Sequence, residues 1–157
     1  VVLAGSTLFT NKAFAQTVDV PFSGNIATAC SFSTPIAGVL ARSTTDPNII
    51  NSFENGGING SVDVTCNSPA QLQVTGIAAT NTPAPDPAGT ILDSSATTDG
   101  GITFTSYNSS TGSSAPIGLN TGPAQIVVVD LFVNRGIAGG TFPAGTYEYE
   151  VTLTVTP

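Results

Sequence analysis

The chain has 157 residues, of which 8% are charged, and ten acidic residues against three cations set a net charge of −7. Lys12, Arg42 and Arg135 are scattered, so no basic surface exists to neutralise nucleic-acid phosphates or to hold anionic lipid. A mean hydropathy of +0.25 with 40% hydrophobic residues argues for a folded chain rather than a disordered one, one domain in size.

Residues 1–15, VVLAGSTLFTNKAFA, read as the remnant of a secretory signal peptide: Val1 to Phe9 has the character of an apolar h-region, and Ala13-Phe14-Ala15 forms an A-x-A cleavage site before Gln16. The alternative is an ordinary first strand. No later apolar run is long enough to cross a bilayer, so membrane insertion is not expected. In an exported chain the two cysteines, Cys30 and Cys66, read as a disulfide.

Beyond residue 16 the dominant hydrophobic period is two. Val18, Val20, Phe22, Gly24, Ile26, Cys30 and Phe32 share one parity, against polar Thr17, Asp19, Ser23, Asn25 and Ser31. This predicts one long strand or two in series. Asn55-Gly56-Gly57 marks a turn, whereas Thr45 to Phe53 has room for one short helical turn. Ile58, Val62, Val64 and Cys66 predict a second strand, and Leu72 and Val74 a third. The stretch Asn81 to Gly89 (NTPAPDPAG) is too rich in proline for a central strand. Ile102 and Phe104 predict the buried face of another strand, with Thr103 and Thr105 outward. Asn108 to Ser114 reads as a flexible loop. Ala124 to Val133 is an apolar run broken by Asp130, as in a central strand covered on both faces. Gly139-Gly140 precedes the cleanest alternation: Tyr147, Tyr149, Val151, Leu153 and Val155 against Glu148, Glu150, Thr152, Thr154 and Thr156. Short strands separated by such turns predict an all-β antiparallel sandwich with Greek-key connections.

Residues able to do chemistry are scarce. Without histidine there is no Ser-His-Asp or Cys-His arrangement and no imidazole for a metal, and no glycine-rich phosphate loop precedes a helix. Glu148 and Glu150 share a strand face, which would suit paired acid–base carboxylates but equally a solvated outer face. Asp93 and Asp99 flank a Ser/Thr-rich loop where a weak calcium site is conceivable. Asn59-Gly60-Ser61 and Asn108-Ser109-Ser110 match glycosylation sequons. The reading is a non-enzyme with no catalytic residues, no cofactor and no metal.

The stretch Val18-Asp19-Val20-Pro21-Phe22-Ser23-Gly24-Asn25-Ile26 leading to Cys30-Ser31-Phe32, the strand Val62-Asp63-Val64-Thr65-Cys66 closing on a second cysteine, and Pro143-Ala144-Gly145-Thr146-Tyr147 before the last alternating strand together resemble the spore coat protein U domain and archaic chaperone–usher pilins. The resemblance implies an incomplete immunoglobulin-like sandwich, residues 25–157, completed by a donor strand. That strand would come from the N-terminal extension of another subunit, residues 16–24 here, by β-strand addition. Val18, Val20 and Phe22 would enter a groove, with Tyr149, Val151, Leu153 and Val155 lining it or its ladder, and burying three such side chains contributes roughly 5–8 kcal/mol. Head-to-tail contacts of this kind build an open filament. The implied partners are identical subunits, a periplasmic chaperone and an outer-membrane usher, and the implied location is an extracellular filament or the cell surface, reached through the periplasm. Pro21 would leave one ladder bond unmade in a donor strand, and the single parity from Val18 to Phe32 also allows one intramolecular strand and a complete monomer. Two other functions remain open. One is a self-contained secreted module binding carbohydrate or a cell surface, for which the chain offers only Tyr107, Tyr147 and Tyr149 and no tryptophan. The other is a protective spore or cell coat protein.

Overall fold

Alternating apolar residues bury one face of a strand only where a second sheet covers that face, and the chain supplies two such sheets. The computed structural model describes residues 20–98 and 103–157; the signal-like stretch 1–15, Val18, Asp99 and Ile102 lie outside the described residues. The strands in chain order are β1 (Cys30–Phe32), β2 (Ala41–Arg42), β3 (Ile49–Asn51), β4 (Gly60–Cys66), β5 (Ala70–Asn81), β6 (Ile91–Thr98), β7 (Phe104–Asn108), β8 (Gly112–Ser113), β9 (Ile117–Leu119), β10 (Gln125–Val129), β11 (Phe132–Asn134) and β12 (Glu148–Thr156), with one short helix, α1 (Gly136–Gly139), before the last. Every pairing between them is antiparallel. The all-β expectation therefore holds.

The larger sheet runs β1-β4-β10-β6-β11-β3-β2, with β7 on the other side of β6 and β8 beyond it; the smaller is β12-β5-β9. β10 and β11 pair with β6 in one continuing register, Val127 opposite Thr98 and Phe132 opposite Asp93. They form a single line interrupted at Asp130 and Leu131. The interruption has a local cause: the Asp130 carboxylate accepts hydrogen bonds from the Ser95 backbone N–H at 2.7 Å and from its hydroxyl at 2.7 Å.

Two apolar clusters fill the space between the sheets. The first joins Val62, Val64, Ala96 and Val127 of the larger sheet to Leu72, Val74, Ile117 and Leu119. The second gathers Ile50, Leu131, Val133 and Phe142, with Ile77, Tyr147, Tyr149 and Val151 packed against them. A β-bulge connects the two. Thr152 pairs with Gly76 but Leu153 with Val74, so Thr75 is an extra residue on β5. An extra residue switches the face presented by the rest of the strand: Leu72 and Val74 serve the first cluster and Ile77 the second.

Several expectations are corrected. Val20 to Ala29 carry no strand; Val20, Phe22 and Ile26 are exposed by 65%, 93% and 87%. Their alternation has no covering sheet within the described chain, so an intramolecular strand from Val18 to Phe32 is not what forms, and pairing begins at Cys30. Phe104 points outward and Thr105 is fully buried, the reverse of the predicted facing, because the Thr105 hydroxyl accepts the Val74 N–H at 3.4 Å inside the core. The Ala124–Val133 line is not covered on both faces: Ile126 and Val128 are exposed on its outer side. Thr45–Phe53 holds strand β3 rather than a helical turn. Asn108–Ser114 is a hairpin, with β8 pairing back on β7.

Candidate functional site

The two sheets do not close along one side. β12 pairs with β5 alone among the described residues, so its second edge is free. Beside that edge runs a groove of about 1020 Å³. Tyr149, Val151 and Leu153 form one wall; Val62, Val129 and Leu131 form the floor. The opposite wall is the irregular segment from Phe32 to Leu40, attached to the larger sheet by single bridges, Ile36 to Ser61 and Val39 to Ile58. This wall leaves Phe32, Ile36 and Val39 exposed by 44%, 69% and 47%. Large apolar side chains on both walls and an unpaired strand edge between them are what an incoming β-strand requires: backbone partners for its ladder and pockets for alternate side chains.

Local sequence explains both walls. β12 keeps strict period two, so the side chains of Tyr149, Val151, Leu153 and Val155 share the inward face, while Glu148 and Glu150 are exposed. The facing segment can lie close because Gly38 lacks a side chain: a Cβ there would sit 2.8 Å from the Ile58 carbonyl oxygen and 2.9 Å from the Gly60 nitrogen. Pro35 in the same segment cannot donate to a ladder, which fits its bridging, rather than fully paired, course.

Of the residues expected to form the acceptor groove, Tyr149, Val151 and Leu153 line it, whereas Val155 lies beyond it and packs on the first cluster. Val155 remains in the β12 ladder, opposite Leu72. Of the donor residues, Val20 and Phe22 stand free in solvent and Val18 falls outside the described residues. Cys30 and Cys66 are bonded to each other and sit opposite in the β1–β4 ladder, fixing the root of the extension to the sheet. Phe32, Ile36 and Val39 were missed as groove residues. The available signal was apolar residues at helical spacing in a stretch where Pro35 and Gly38 argue against a helix. Asp93 accepts a hydrogen bond from the Asn108 amide at 3.2 Å, and no group of three metal-capable side chains occurs among the described residues.

At the Tyr149 end of the groove lies a buried polar cluster. The Tyr149 hydroxyl donates to the Asp86 carboxylate, at 3.0 and 3.2 Å from its two oxygens. Arg135, 5% exposed, places Nε 4.0 Å from Asp86 Oδ1, donates from Nη2 to the Pro85 carbonyl at 3.4 Å, and lies 5.1 Å over the Phe142 ring. Burial first, then the charge and hydrogen bond of Asp86, push the Tyr149 hydroxyl well above the ordinary tyrosine range, against the opposing pull of Arg135. A raised folded-state value means that stability is fully present below the unfolded tyrosine pKa of about 10 and is lost as pH rises beyond it. Between pH 10 and 12, stability should therefore fall less steeply in Tyr149→Phe than in the wild type, by up to one proton in the linkage slope. Equal slopes in urea titrations across that range would contradict this.

The chain matches no protein-family model, and neither a curated protein nor a solved structure matches it.

Proposed function

We propose that the protein is a structural subunit of a surface filament, assembled by insertion of one subunit's N-terminal extension into the groove of the next. One observation carries the reading. Among the described residues, the same chain holds an apolar groove beside the free edge of β12 and an apolar extension that forms no strand from Val20 to Ala29, with Val20, Phe22 and Ile26 exposed. Exposed edges and large apolar patches are hazards that soluble monomers suppress; here they are complementary in chemistry and in period. On this reading the two sheets are an immunoglobulin-like Greek-key sandwich lacking one strand. The disulfide then holds the base of the extension against the pull of a neighbouring subunit. The Cys30–Cys66 bond is compatible with export, and no helix among the described residues is long and apolar enough to cross a membrane.

A peptide with the sequence of residues 17–26, added to the full chain, tests the groove directly. It should bind the wild type and protect β12 amides from hydrogen exchange. Val151→Asp should weaken binding by about 2 kcal/mol or more, roughly 30-fold, because a carboxylate is then desolvated against an apolar strand. Equal binding by a folded Val151→Asp protein, or protection elsewhere than β12, would remove the groove from the account.

A further inference from the structure

Alternation alone does not set the register of the extension. Its apolar parity continues through Val18, Val20, Phe22, Gly24 and Ile26. A slip of one residue in a β-ladder turns every side chain to the wrong face, but a slip of two leaves each on its face. Several registers two residues apart would therefore satisfy the groove equally well in parity, and a filament of uniform repeat needs one of them selected. Alternation does not select among them; unequal side chains and Pro21 in the extension need a fixed feature in the groove to be measured against.

The polar cluster supplies one. Tyr149 is near the end of the groove that meets the second apolar cluster, and Tyr147, which also lines the groove, packs there with it. The Tyr149 ring is held from its far side, because its hydroxyl is bonded to Asp86. Asp86 sits in the proline-rich loop between β5 and β6, and that loop is itself held at several points. Arg135 donates to the Pro85 carbonyl and faces the Asp86 carboxylate. Gly145 comes so close to Pro83 that an added Cβ would overlap its ring, and a Cβ on Gly139 would press on Pro87. A buried ion pair is a weak source of stability, since desolvation offsets its attraction; what such a pair does well is fix geometry. Arg135 Nε itself is buried without a hydrogen-bond partner, so the loop is held by the Nη2 bond to Pro85 and by the close packing of Pro83 and Pro87.

We propose that the Tyr149–Asp86–Arg135 cluster is the stop of the groove, holding the Tyr149 ring rigid at one end so that an inserted strand seats in a single register. The stop rests on the donor-strand reading. Asp86 and Arg135 act only through the ring and are positioning residues.

Intermolecular disulfide mapping of the full chain tests it. Ser23→Cys, on the polar parity of the extension, is combined in turn with Glu150→Cys, Thr152→Cys or Thr154→Cys on the outward face of β12, and cross-linked oligomers are quantified on non-reducing gels. With Tyr149 intact, one of the three positions should dominate. With Tyr149→Ala the dominant position should shift by two residues or the yield should spread over neighbouring positions, since both changes preserve parity. Tyr149→Phe keeps the ring volume and cuts only the tether to Asp86, so it decides the matter if Tyr149→Ala fails to fold; it should reduce the selectivity. An unchanged dominant position in folded Tyr149→Ala, or undiminished selectivity in Tyr149→Phe if Tyr149→Ala does not fold, overturns the stop while leaving strand insertion in place. No cross-link at any position with Tyr149 intact overturns the stop and strand insertion together.

Discussion

Replacing Asp86 by alanine is expected to lower the stability of the folded chain by about 3–5 kcal/mol, because it leaves a buried guanidinium uncompensated. For a domain of this size that is a fall in melting temperature of roughly 10–15 °C. Arg135 is 5% exposed, and the Asp86 carboxylate is the only acidic group within ion-pair distance of it among the described residues. The same substitution removes the acceptor of the Tyr149 hydroxyl, so a buried donor loses its acceptor as the buried cation loses its counter-charge. The control is the double variant Asp86→Asn with Arg135→Met, which removes both charges and retains an amide acceptor for Tyr149. Replacing a buried pair by groups of similar volume is often near neutral, so the double variant should recover most of the loss. A melting temperature unchanged in Asp86→Ala would mean that the loop between β5 and β6 is not held by this pair.

The second large effect concerns the disulfide. Cys30 and Cys66 are separated by 36 residues, and closing a loop of that length stabilises by about 4 kcal/mol on the chain-entropy argument. Cys30→Ser with Cys66→Ser should lower stability by roughly that amount in urea titrations. The loss should also be local in character. β1 is only three residues long and pairs with β4 alone, so without the covalent link it should fray before the rest of the sheet, and hydrogen exchange at Ser31 and at Ser33, whose N–H donates to the Asp63 carbonyl, should rise first. A variant whose β1 amides stay as protected as those of β4 would show that the ladder holds β1 unaided.

The elements most legible in the sequence were those whose side-chain period met no interruption. β12 alternates without a break from Tyr147 to Val155, and its inward residues are the predicted ones. β4 likewise buries Val62, Val64 and Cys66 and turns Asp63 and Thr65 outward. Where a strand carries a bulge the pattern changes phase, and β5 was read only as far as Val74 because the extra residue at Thr75 hides Ile77 from a period-two count. Phe104 and Thr105 exchanged places because a buried hydroxyl with a partner is tolerated in the core, which hydrophobicity alone does not register. The groove was half legible. Its β12 wall follows from alternation, but the Phe32–Leu40 wall depends on single bridges and on Gly38 allowing close approach. The union of Asp86, Arg135 and Tyr149 depends on three loops and strands meeting in space, and no local pattern in the chain announces it.

The claim on which the rest depends is that the extension of one subunit fills the groove of another. The most direct measurement compares purified full-length protein on SDS gels with and without boiling, beside negative-stain microscopy, for wild type and Val20→Asp. The account predicts a heat-sensitive ladder and fibres in the wild type, both lost in a folded Val20→Asp protein; a sheet or amorphous layer in place of fibres would redirect it to a coat. A single monomer band in both proteins, with normal folding and no fibres, would contradict it and leave a self-contained module.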